Sequence, residues 1–307
     1  MVELEAPSAA DGPEVHADWL ELRTFAVDDK NSSIKDLLRA IRTTGTEEAF
    51  EALDDADKSE VIGDNVFEEI EDRSVSCAGL PPTYPFAVNE RYIELRNNPE
   101  ESIYTFLLLL ATYGKDAGPR RMNGAQLFEL LSTEVAAAYL GGAPNEAFGF
   151  HFGFPRRNSP RGFRDALDGM CSHIGEGGGC DRTKPNVAAQ RDGDLDLVAW
   201  RPFKDRREGK LIAFGQCASG NDWKDKLTDL QIDAFCDWML DRPPVLPLRL
   251  FFVPHRVEKS RWRQTVVKGG VVFDRCRMAS FESAINEEIK DECKNWSRFV
   301  IRKNFGL

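Results

Sequence analysis

The chain has no run of about 18 apolar residues, the length a membrane-crossing helix needs. Its best candidate, Ile103 to Ala111, falls well short and is interrupted by Tyr104 and Thr105. It has no C-x-x-C pair, and its 7 cysteines stand singly. That argues against a disulfide framework and for a reducing, cytoplasmic setting. Only 4 histidines are present, none at finger distance from a cysteine, so no structural zinc site is expected. The first residues lack the basic and apolar segments of a secretory signal. The glycine-rich stretch Gly175 to Gly179, which holds Glu176, lacks the Lys-Ser/Thr ending of a nucleotide P-loop.

Net positive charge is also missing, since the balance is −11. Taken alone, that argues against a polyanion as partner. The distribution of charge along the chain weakens that argument. Of 40 Lys+Arg and 51 Asp+Glu, residues 1–110 hold 9 and 25, leaving 31 and 26 for the remainder. An acidic first part is joined to a mildly basic second part, an asymmetry that points to segregated roles.

With 307 residues there is ample length for a large core. His16 to Asp28 is too mixed in pattern to assign. Ser32 or Ser33 caps a helix with Ile34, Leu37, Leu38 and Ile41 on one face. Further helices are expected from Thr46-Glu47-Glu48 and over Lys58 to Asp72. A proline-rich turn follows over Gly79 to Pro85, then a strand or hairpin over Phe86 to Leu95. Ser102 to Tyr113 reads as a helix with little polar face, hence buried. The break at 115–121 divides the chain into an acidic, mostly helical region (1–115) suited to docking or packing and a second domain (116–307).

From Gly124 the pattern is regular. Helices are expected over Gln126 to Leu140, Gly162 to Ile174, Asp222 to Leu240, Ser260 to Lys268 and Phe281 to Arg298. Strands are expected over Ala147 to Pro155, Asp192 to Trp200, Leu211 to Gly220, Pro247 to Val253 and Gly270 to Phe273. This alternation predicts an α/β (α+β) sandwich, a mixed sheet flanked by helices.

The organising stretch is Asp192 to Lys226. Asp192, Asp194 and Asp196 crowd the entrance of one apolar strand, Gly215-Gln216-Cys217 closes the next, and Lys224 and Lys226 follow. Leu127-Phe128-Glu129, Asp194-Leu195-Asp196, Gly215-Gln216-Cys217-Ala218 and Trp223 to Lys226 together resemble the four sequence marks of the restriction-endonuclease-like PD-(D/E)xK nucleases. The resemblance covers roughly Gly124 to Phe273. It departs from the family pattern in having Gln216 in the acid position and Ala218 in the lysine position.

The resemblance implies a metal-dependent endonuclease, or nuclease subunit, that hydrolyses DNA phosphodiester bonds. The implied cofactor is Mg2+, with Mn2+ able to substitute. Asp196, Glu129 and the Gln216 amide oxygen would hold the metal, with the Cys217 carbonyl as a further oxygen. Lys226 would assist in place of the missing lysine. Glu134 competes with Glu129, and Lys224 with Lys226. Such proteins serve in prokaryotic antiviral defence or DNA processing, and the acidic region would dock a partner such as an ATPase or helicase. The alternative is a catalytically degenerate subunit of a DNA-processing complex. A basic stretch holding Arg256, Lys259, Arg261, Arg263 and Lys268, with Trp262 among them, is the expected nucleic-acid surface, extended by Arg156, Arg157 and Arg161.

Overall fold

The computed structural model describes residues 4–45, 56–77, 83–141, 146–157, 160–184 and 193–306. Asp192, the helix start at Thr46-Glu47-Glu48 and residues 79–82 of the proline turn lie outside the described residues. The protein is mixed α/β. Among the described residues no helix is long and apolar enough to cross a membrane.

The first part opens with α1 (Pro13–Ala26), begun by a proline in its first turn. The sequence shows no stripe there because polar residues are buried along with the apolar ones. His16, Glu21 and Thr24 lie beside Trp19, Leu20 and Phe25. Strand β1 (Asn31–Ser33) leads into α2 (Ile34–Thr43). Ser33 and Asp36 form a reciprocal cap, with the Ser33 N–H donating to Asp36 Oδ2 at 3.0 Å. Then follow α3 (Ala56–Ser76), β2 (Phe86–Asn89) and β3 (Tyr92–Leu95). The three strands form a small antiparallel sheet in the order β1-β3-β2.

Helix α4 (Ile103–Tyr113) is buried over most of its circumference, as its lack of a polar face requires. After the break comes α5 (Gly124–Gly141), which lies across the first two strands of the main sheet. That sheet holds β4 (Phe148–His151), β5 (Leu197–Arg201), β6 (Leu211–Cys217), β7 (Leu248–Phe252) and β8 (Val271–Phe273). Its strand order follows the sequence. The pairs β4–β5 and β5–β6 are antiparallel, while β6–β7 and β7–β8 are parallel. Helix α6 (Phe163–Ile174) sits between β4 and β5 in sequence. The other helices are α7 (Ile232–Cys236), α8 (Lys259–Gly269), α9 (Arg275–Ala279) and α10 (Glu287–Phe305).

Two expected helices take other forms. Asp222 to Leu240 is a 3-10 turn (Asp225–Thr228) followed by the short α7. The Leu230 N–H, which a continuous helix would spend on the carbonyl four residues back, donates instead to Gln216 Oε1 at 3.2 Å. The last helix begins later than expected, at Glu287, because Asn286 caps it through the Ile289 N–H. One apolar core runs from Leu20 and Phe25 of α1 through Phe106 of α4 and Leu131 of α5 to Trp296 of α10. The two sides of the 115–121 break therefore share a core. A second core lies on the other face of the sheet, around α6 and α7.

Candidate active site at the β4–β6 strand ends

The entrance to β5 is bent. Gly193 and Asp194 both have positive φ, of 63° and 62°. The Asp196 carbonyl then accepts the N–H groups of both Phe152 and Gly153 at 2.8 Å each. Two residues of one strand facing one of its neighbour form a bulge, which re-aims side chains. Leu195 and Val198 point into the same core, while Leu197 points to the α5 face. Strict alternation would put 195 and 197 together.

The bulge places Asp196 opposite Glu129 of α5. A Cβ on Gly153 would press into Glu129 Oε2 and lie 3.1 Å from Asp196 Oδ1. Both carboxylates thus converge on one glycine backbone, and any side chain there would fill the space between them. Asp196 Oδ2 accepts the Cys217 N–H at 2.7 Å, which ties it to the end of β6. Glu129 Oε2 lies 2.7 Å from His151 Nε2. Burial, with Arg156 and Arg157 nearby, pushes His151 down to about 4, so at neutral pH the uncharged ring donates to the carboxylate. Glu134, the competitor on the same helix, is pushed up by burial and hydrogen-bonded by Asn286 before α10. Of the two, Glu129 is the one beside Asp196.

Gln216 lies elsewhere. Its amide oxygen serves Leu230 on the face occupied by α7, away from Glu129. The side chain nearest the carboxylates at the end of β6 is that of Cys217. Burial, then Asp196 and Glu129, push this thiol far above its ordinary value, so it is neither a nucleophile nor an anionic ligand at neutral pH. Lys226 pairs with Asp222 at 3.3 Å, and Lys224 with Glu258 at 3.4 Å while lying over the Trp223 ring. Among the described residues no group of three or more His, Cys, Asp or Glu side chains could hold a metal ion. What the site offers is a carboxylate pair.

Two of the five cations in the basic stretch pair with the acidic first part. Arg256 pairs with Glu69 at 3.0 Å and Asp274 at 2.8 Å, and Lys259 pairs with Glu68 at 3.0 Å and with Asp72. Arg261 turns to Glu258 at 2.8 Å. Arg263 and Lys268 lie along α8, Lys268 in its last turn. Sequence reading missed His151 and Gly153. Their signal was the alternation through β4, which puts His151 on the face of Gly149, whose missing Cβ admits Thr133 of α5.

No protein-family model, no curated protein and no solved structure matches the chain.

Proposed function

We propose that the protein is a metal-dependent nuclease acting on DNA phosphodiester bonds, with Glu129 and Asp196 as its acidic pair. The observation that carries this is their convergence on Gly153 at the ends of β4, β5 and β6. Two adjoining carboxylates suit Mg2+, which binds through one or two protein carboxylates rather than a closed cage. When bound, the ion would activate water and neutralise charge on the phosphate.

The chain's own residues do the rest. His151 holds Glu129 in place, and the Cys217 N–H holds Asp196. Lys226 is the proposed phosphate partner. Its exposed pair with Asp222 is worth only about 0–1 kcal/mol, so exchanging it for a phosphate costs little. Gln216 supports the reading only as scaffold, by setting the turn before α7.

The test is cleavage of plasmid and single-stranded DNA with Mg2+ or Mn2+. Asp196→Asn should lose at least about 100-fold in rate with an unchanged circular dichroism spectrum. Lys226→Ala should lose activity while still binding Mn2+. Full activity in Asp196→Asn would sink the proposal. A second reading, a catalytically silent subunit, is favoured by the Gln216 oxygen being committed to Leu230. It predicts a wild-type protein that neither cuts DNA nor binds Mn2+ in a calorimetric titration.

A further inference from the structure

The polyanion surface of this protein should be sought where positive charge and aromatic rings adjoin the carboxylate pair, whereas α8 packs against β7 and β8. Two cavities, of about 320 and 290 Å3, open beside the start of α5 and the edge strand β4, and both are lined by Leu130 and Arg157. The first is lined by Phe150, His151 and His173. The second is lined by Arg121, Asn123 and Gln126. His151, which lines the first cavity, meets Glu129 Oε2 at 2.7 Å, so the carboxylate lies one side chain behind the cavity wall.

The chemistry of the lining is that of a strand-binding groove. His173 is exposed, and its Nδ1 is anchored at 2.7 Å to the Gly169 carbonyl. Its ring meets Phe150 at 5.1 Å and 48°, so the two make an angled aromatic wall. A Cβ on Gly169 would meet nothing, so the approach to that wall is open. Such a wall stacks a base of any identity. A base can lie against such a ring face only when it is unpaired and unstacked, so the wall favours a single strand over a duplex. Arg121 is exposed, and Arg157 meets Glu292 at 2.6 Å in a pair whose side chains are 40% and 24% exposed. A pair that accessible contributes little and exchanges readily for a phosphate.

We infer that an unpaired DNA strand lies along this groove, its phosphates on Arg121 and Arg157 and a base against Phe150 and His173, so that the chain continues past Glu129. The inference rests on the nuclease reading and adds the form of the substrate to it.

The experiment is fluorescence anisotropy in EDTA with the full chain, using labelled oligothymidylate of about 20 nucleotides, longer than one ordinary single-strand site. The competitor is a duplex of the same length. The double variant Arg121→Glu/Arg157→Glu should bind the single strand at least about tenfold more weakly. His173→Ala, an exposed position, should weaken it about five- to tenfold. Arg263→Glu/Lys268→Glu on α8 should stay within about twofold of wild type, and the duplex should compete poorly. The inference is overturned if wild type does not bind the strand, if the α8 variant loses as much, or if the duplex binds more tightly. Since no metal is present, the readout does not depend on cutting. A protein that binds as described but never cleaves would overturn the nuclease reading and keep the groove. One that cleaves with the groove variants unimpaired would do the reverse.

Discussion

Carboxylates gather at two places in this molecule, and their neighbours differ in kind. Between α1, α3 and α9, Asp18 meets Arg73 at 2.6 Å and Arg275 at 2.7 Å, while Glu21 meets Arg73 at 3.1 Å. Tyr84 and Tyr104 donate their hydroxyls to Glu21 at 2.6 and 2.8 Å. Burial works against the Asp18 charge, yet the two guanidinium groups hold its carboxyl far below the usual range. At Gly153, by contrast, carboxylate approaches carboxylate, steadied by an uncharged histidine and a backbone N–H. The first arrangement is complete as it stands and holds helices together. The second brings two carboxylates together at a strand end, where His151, which lines the neighbouring cavity, meets Glu129.

That contrast can be broken experimentally. The largest effect is expected from Arg275→Met, which leaves the half-buried Asp18 and the buried Glu21 with one guanidinium fewer. It should cost about 3–5 kcal/mol in urea unfolding. A cost below about 1 kcal/mol would mean that the network is not what fastens the first part to the sheet. Gly153→Ala comes next. Its methyl group would push Glu129 off His151 and lower cleavage roughly 10- to 100-fold, the loss expected when a catalytic group is misplaced by about 1 Å. Stability should change little, and an unchanged rate would show that the convergence has no role. The smallest effect, about 1–3 kcal/mol, is expected for Gln216→Leu, which strands the buried Leu230 N–H. Mn2+ affinity unchanged in that variant would sharpen the division between scaffold and site. Affinity lost in proportion to activity would return Gln216 to the metal.

How much of this could be read from the chain depended on how local the cause was. Helix α5 and strands β4 to β8 follow from the periodicity of neighbouring residues, and Glu129 and Asp196, both expected near the same strand ends, meet at Gly153. Helix α1 was hidden because Glu21 is buried for a partner, Arg73, that lies in α3. The helix expected from Asp222 is interrupted by a glutamine in β6, which no window over 222–240 contains. The basic stretch reads as an open surface until Glu68, Glu69 and Asp72 are folded against it. His151 gains meaning only from a helix 22 residues earlier. In each case the deciding partner is distant in sequence.

The bond between Asp18 and Arg275 spans 257 positions, and Phe25 stacks on Phe305 with ring centroids 5.6 Å apart. During synthesis, Glu129, Asp196 and Lys226 all leave the ribosome before Arg275, the second of the two guanidinium partners of Asp18, is made. A nascent chain therefore carries every member of the candidate site before it can close the frame that holds them. Contacts this remote also make for slow folding. Whatever activity the carboxylate pair has should appear only when synthesis has passed α10.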